Sequence, residues 1–266
     1  MPYQFKSIYL DEPIVEGRAL DVFQPEEVTR DVAIFFVHGG GWRAGARAHF
    51  HRLMRAFNRE GFVCGSTDYR LSGVCIREQI TDVRHGYDLF VSELRQANRP
   101  AKVFVFGSSA GAHLAALLTL ALPGECGEDP DFAACRFQNE WIRPVGAALQ
   151  STPVTFEPWD DIFPHGWTAM QGIVGTTYEE HPELFRSVSP IEHISGESPP
   201  ILFLEAENEH MFPLELTERF VEKMRAHGRR SEIKVYTKAE HGFFYDLTRR
   251  QQKEAFRDIL GFVEKL

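Results

Sequence analysis

The chain has 266 residues, 43% of them hydrophobic and 25% charged, and a net charge of −9 at pH 7. That length supports a large buried core without disulfide or metal, and it suits one doubly wound α/β domain over residues 1–266. The acidic balance argues against nucleic acid as a partner, and no apolar run approaches the roughly 18 residues of a membrane span.

Short β-branched or aromatic runs alternate with amphipathic helical runs, the pattern of a mostly parallel sheet covered by helices on both faces. Residues 4–10 and 19–23, separated by Asp-Glu-Pro and Glu-Gly turn signals, read as an N-terminal antiparallel pair. VAIFFV at 32–37 is continuously apolar, as a strand buried on both faces should be. A helix is expected over 46–60 with Gly61 as its stop, then a strand over 62–67 and a helix over 76–96. KVFVF at 102–106 is the next strand, followed by a helix over 110–122. Residues 123–144 read as an irregular excursion, and a strand resumes over 145–150. Residues 153–190 have no clear order and are long enough to act as a lid. Strands over 201–205 and 232–236 and helices over 213–227 and 249–265 close the chain, giving about eight strands in all.

Four cysteines are too few for a disulfide scaffold. Cys64 lies in an apolar run and reads as a buried thiol, whereas Cys126 and Cys135 would be able to pair in an exported protein. The N-terminal residues lack the basic and apolar regions of an export signal, so a cytoplasmic location is expected of the chain as it stands. A trimmed signal would make it secreted. No membrane partner is expected, and the oligomeric state is not legible.

Gly107-Ser108-Ser109-Ala110-Gly111 matches G-x-S-x-G between the strand KVFVF and an Ala/Leu-rich helix. The spacing serves a sharp strand-to-helix turn that lifts the central hydroxyl above the sheet, with glycines keeping Cβ atoms out of the turn. A chain of this composition yields the pattern by chance in roughly 7% of shuffles, so its setting carries the argument. In that setting Ser109 is the expected nucleophile; Ser108 occupies the x position and should point elsewhere.

His38-Gly39-Gly40-Gly41-Trp42 follows directly on VAIFFV. Residues without side chains let backbone N–H groups approach a developing oxyanion, so this run is an expected source of donors, together with the amide of Ala110. The bland reading is a flexible surface loop. His38 is expected to brace the loop rather than titrate in catalysis.

A serine hydroxyl needs a base. Of eleven histidines, His241 stands in a short loop after the last strand, near the chain end. His113, one turn beyond Ser109, is better read as helix packing. The orienting carboxylate should follow the preceding strand, where Glu205, Glu207 and Glu209 all lie within five residues. Glu209 is favoured because it lies deepest in the loop; the other two read as strand-end or solvated charges. No metal or organic cofactor is expected: His49 and His51 lack a third ligand.

Together these residues resemble the carboxylesterase branch of the α/β-hydrolase superfamily, near its hormone-sensitive-lipase-like and feruloyl/acetyl-xylan esterase-like members. The segments LDVFQPEE, HGGGWRAG, STDYRLSG, GSSAGAHLA, SPPILFLEAENEHMFPLE and HGF fall in the family's order over nearly the whole chain. The resemblance implies an α/β-hydrolase fold, a Ser109–His241–Glu209 triad and an oxyanion hole of Gly40, Gly41 and Ala110. Two departures stand out. The family's acid is usually Asp with Gly three residues earlier, where this chain has Glu209 and Ala206. The first strand also begins too early for an N-terminal helical cap, so a site covered only by residues 153–190 is expected.

The expected reaction is hydrolysis of a small-molecule ester through an acyl-enzyme, on short-chain or aryl substrates. Acetylated or feruloylated plant polysaccharides and arylformamides such as N-formylkynurenine remain open alternatives. Trp42, Trp159, Phe163 and Trp167 are candidate walls of the substrate pocket, with Met170 beside them; packing of the lid onto the body is an equally good reading of the lid residues. A serine peptidase would carry a further domain, and a non-catalytic member of the fold would typically lack the serine or the histidine.

Overall fold

The computed structural model describes residues 3–128 and 140–266. Among them an eight-stranded sheet runs in the order β1-β2-β4-β3-β5-β6-β7-β8. Its strands are β1 (Tyr3–Tyr9), β2 (Ala19–Pro25), β3 (Val32–Val37), β4 (Cys64–Thr67), β5 (Lys102–Ser108), β6 (Gly146–Gln150), β7 (Ile201–Asn208) and β8 (Ser231–Glu240). β1 and β2 are antiparallel to their neighbours, and β4, β3, β5, β6, β7 and β8 are mutually parallel. This is the α/β-hydrolase arrangement expected from the sequence.

The continuous apolar runs are explained by helices on both faces. Along β3, Ala33, Phe35 and Val37 enter one core layer while Ile34 and Phe36 enter the other. The first layer is covered by α2 (Ile76–Gln96), α3 (Ala110–Leu120) and α6 (Leu214–Ala226); the second by α1 (His51–Arg59) and α7 (Arg250–Val263). The helix expected over 46–60 divides into a 3-10 turn, Arg47–Phe50, and α1, and Gly61 at φ +85° ends it.

Residues 153–190 contain α4 (Pro164–Val174) and α5 (Pro182–Ser187). Each begins at a proline, whose missing N–H costs a first turn nothing, and α4 ends at Gly175 in the left-handed region. Val154, Phe156, Met170, Ile173, Val174, Phe185 and Val188 of this segment are buried in the first core layer, so much of it packs with the body.

Cys64 is buried, and burial pushes its thiol well above the ordinary range. Burial likewise pushes the Cys126 thiol up to about 12. Cys135 lies outside the described residues, and with it the proposed pairing. Among the described residues no helix is long and apolar enough to cross a membrane.

Candidate active site

The functional candidates lie where β3, β5, β6, β7 and β8 end, at the carboxyl edge of the parallel strands, where backbone leaves the sheet and side chains become reachable. Ser109 sits between β5 and α3 at φ 53°, ψ −123°, a conformation that L-residues rarely adopt. Close approach requires the flanking glycines. A Cβ on Gly107 would overlap Gly111 O, and one on Gly111 would overlap Val37 O at the end of β3. The Ser109 amide donates to Gln150 O at 2.8 Å, which ties the elbow to β6.

His241 Nε2 lies 2.8 Å from Ser109 Oγ, and His241 Nδ1 lies 2.8 and 2.9 Å from the two carboxylate oxygens of Glu209. An ionised carboxylate can only accept, so Nδ1 carries the proton and Nε2 faces the serine hydroxyl as an acceptor. Burial works to raise the Glu209 pKa. Hydrogen bonding and charge from His241, the Met211 amide and the Ser151 hydroxyl outweigh it and hold the carboxyl below its ordinary value. Glu209 Oε1 also accepts from the His210 and Met211 amides at 3.1 and 2.9 Å.

The other two carboxylates go elsewhere. Strand β7 continues to Asn208, past its expected end at 205, and Glu205 shares its strand face with Ile201 and Phe203 of the first core layer. Glu205 is buried against α6, where the Thr217 hydroxyl donates to it at 3.1 Å. Burial, with the charge of Glu209 nearby, raises its pKa to about 8. Glu207 is exposed and accepts the Lys238 amide of β8 at 2.8 Å. A bulge between Ala206 and Asn208 breaks the β7–β8 register just before Glu209.

Ser108, beside the elbow serine, is fully buried; its Oγ accepts from the Tyr245 hydroxyl at 3.1 Å. The glycine run is packed against the elbow: a Cβ on Gly39 would come within 2.5 Å of Ser108 O and 3.3 Å of Ser109 Cβ. Gly40 and Gly41, at φ +123° and +58°, are exposed beyond it. Ala110 is the first residue of α3, so its N–H has no partner within the helix.

His38 is stacked on Tyr69 with ring centroids 4.3 Å apart, and its Nδ1 lies 2.9 Å from Gly39 O. Burial lowers its pKa to about 4, consistent with a neutral brace for the loop. His113 is buried too: its Nε2 bonds Val188 O at 2.7 Å, and burial lowers its pKa to about 3.

One expected pocket residue is placed differently. Trp42 is 3% exposed, with its indole N–H donating to His113 Nδ1 at 3.4 Å and its ring against Phe156. The left-handed backbone at Trp42 (φ 61°) accompanies this inward packing, so the residue belongs to the core and not to a pocket wall. Trp159 packs toward Phe212, whose ring lies 5.9 Å from that of His241. Phe163 is 46% exposed, and Trp167 packs on Tyr178 and Phe185. An open depression of about 440 Å³ adjoins the glycine loop, lined by Gly39, Gly40, Ala44, Gly45, His49 and Tyr245. Among the described residues no three His, Cys, Asp or Glu side chains cluster as a metal site.

Sequence reasoning missed Phe212, Tyr245, Gln150 and Ser151. Tyr245 carried a local signal, four residues beyond His241, and Phe212 lies in the quoted segment SPPILFLEAENEHMFPLE; Gln150 and Ser151 lie in a segment with no motif.

The family model described as BD-FAE matches residues 20–224. Among curated proteins the chain is similar to esterase LipC of Mycobacterium tuberculosis, at 27% identity over 240 residues, covering 82% of this chain and 54% of that protein. It is also similar to esterase LipQ of the same organism, at 25% identity over 258 residues, covering 92% of this chain and 59% of that protein. The chain thus spans little more than half the length of these relatives. Among solved structures, a truncated form of a carbohydrate esterase from gut microbiota has the same fold. Its TM-score is 0.81 at 18% identity, covering 99% of this chain and 96% of that one.

Proposed function

This chain belongs to the BD-FAE family, and on that premise we propose that it hydrolyses carboxylic esters through a serine nucleophile. The observation that carries the reading is the continuous relay Glu209–His241–Ser109, with both links at 2.8 Å, on an elbow whose serine has φ 53°.

In this reading Ser109 Oγ attacks the ester carbonyl carbon while His241 Nε2 takes its proton. Glu209 keeps the imidazole in the Nδ1–H tautomer and stabilises the imidazolium, without itself accepting the proton. The amides of Gly40, Gly41 and Ala110 hold the carbonyl oxygen as it becomes negative, each such donor contributing about 3 kcal/mol. The imidazolium returns its proton to the departing alcohol, and water, deprotonated by His241, releases the acid from Ser109. Protein groups supply every step. The similarity to the esterases LipC and LipQ points the same way.

Short-chain or aryl esters are the substrates that fit best. The depression beside the glycine loop has a floor of small residues and is flanked by the rings of His49 and Tyr245, a shape for a flat or short group. Trp159, half-buried and packed toward the buried Phe212 ring beside His241, offers a second apolar wall.

The test is hydrolysis of a p-nitrophenyl ester series, from acetate to decanoate, by wild type, Ser109→Ala and Ser108→Ala. Ser109→Ala should lose at least about 10⁴-fold in kcat and Ser108→Ala no more than about tenfold, with the short esters turned over best. Absence of turnover by folded wild type, or retention of activity by Ser109→Ala, would overturn the reading.

A further inference from the structure

We propose that Ser151, at the end of β6, is a positioning residue that holds the acid and base arms of the site in register; the inference rests on the triad reading above. Ser151 has φ 49°, in the left-handed region, although it is not glycine, and its side chain is fully buried. Strain of this kind persists only where the surroundings enforce it. Here the Ser151 amide is bound to Leu204 O of β7 at 3.3 Å, and the turn carries the hydroxyl between the loops that follow β7 and β8.

Two partners meet at that hydroxyl. The amide of Gly242, next to His241, donates to Ser151 Oγ at 3.4 Å, and the same hydroxyl lies beside the Glu209 carboxyl and helps to hold its pKa down. A hydroxyl has one proton to donate and lone pairs to accept with, so it serves the carboxylate and the amide at once. The preceding residue completes the pattern. Gln150 O takes the Ser109 amide, and the Gln150 side chain, turned to satisfy its neighbours, donates to Ser108 Oγ at 3.0 Å and accepts from the Phe243 and Phe244 amides at 2.6 and 2.9 Å. The last residue of β6 and the one after it thus reach the nucleophile, acid and base arms, although Ser109 and His241 lie 132 residues apart.

A glutamate makes such a contact valuable. It has one more rotatable bond than aspartate, hence more freedom to lose before its carboxylate faces His241. The His210 and Met211 amides restrain Oε1 within the acid's own loop, and Ser151 adds a restraint from a separate strand. Glu205, buried on β7, and His210 are the other titratable groups beside the pair; both stay unchanged in the variants below.

The experiment compares wild type, Ser151→Gly and Ser151→Ala in p-nitrophenyl acetate hydrolysis, thermal unfolding and NMR titration of His241, assigned with His241→Gln. Glycine suits φ 49°, so Ser151→Gly should unfold no lower than wild type, whereas Ser151→Ala keeps the strain. Both should lose about tenfold in kcat with KM within about twofold. Without the hydroxyl, Glu209 becomes a stronger acceptor, so the His241 titration and the acid limb of kcat/KM should move to higher pH. An unmoved His241 titration, or a kcat loss that follows unfolding temperature rather than loss of the hydroxyl, overturns the proposal. If wild type turns over no ester, the hydrolase reading fails separately and the His241 titration alone decides the role of Ser151.

Discussion

Replacing Glu209 by glutamine tests the assignment of the acid most directly, because the surrounding donors dictate which way the new amide must face. Glu209 Oε1 accepts two backbone N–H groups, from His210 and Met211. In Glu209→Gln the amide oxygen must stay with those donors, since turning it would set N–H against N–H. The amide nitrogen then faces His241 Nδ1, which lies 2.8 Å from Oε2. The retained oxygen, 2.9 Å from Nδ1, already accepts two amides, so the new N–H favours the tautomer in which Nδ1 accepts and the ring proton sits on Nε2, which can no longer take the proton of Ser109. The site keeps its shape and loses its base. A tautomer inversion of this kind costs about 10³- to 10⁴-fold in kcat, or about 4 to 5.5 kcal/mol of barrier, with little effect on KM. Steady-state hydrolysis of p-nitrophenyl acetate measures it, with Glu205→Gln and Glu207→Gln as controls. A loss under tenfold in Glu209→Gln, or a larger one in either control, would refute the reasoning.

Two further expectations concern pH. Folded Glu205 keeps its proton up to about pH 8, whereas the unfolded chain releases it near 4.5, so its contribution to stability falls as pH rises through that window. Glu205→Gln removes this loss while preserving the Thr217 contact; its unfolding temperature relative to wild type should rise by at least about 3 °C between pH 5 and pH 9, and a difference independent of pH would contradict the assignment. His113 has the opposite sign: burial keeps it neutral down to about pH 3, while the unfolded chain binds a proton near 6.5, so stability is lost as pH falls below that value. His113→Gln should flatten the acid side of the stability curve while leaving the pH profile of kcat/KM in place; a shifted acid limb would mean that His113 takes part in the reaction.

The elements most readily read from the chain are those set by neighbours along it. VAIFFV announces a strand buried on both faces because its odd and even side chains enter different core layers. The G-x-S-x-G and glycine-run motifs are legible because backbone crowding at the turn excludes Cβ atoms, a requirement written in the residues themselves. His241 was also visible, from its place just beyond the last strand. Boundaries were less so: β7 and β8 run farther than their apolar cores suggest, because pairing resumes past the irregularity at Glu207 through the polar residues Asn208 and Glu240.

By itself, then, the sequence determined the α/β-hydrolase architecture and singled out one serine and one histidine, since periodicity and steric exclusion act over a few residues. The tertiary structure decided which of three glutamates faces that histidine. Glu205 shares a strand face with Ile201 and Phe203 and is covered by α6, whereas Glu207 lies in the register shift between Ala206 and Asn208 and is exposed, and the chain beyond that bulge delivers Glu209 to Nδ1. It likewise withdrew Trp42 into the core, set Phe212 beside His241 and brought in Ser151, which no motif marked. These outcomes depend on contacts between segments far apart in the chain, and local pattern holds no record of which distant segment will pack alongside.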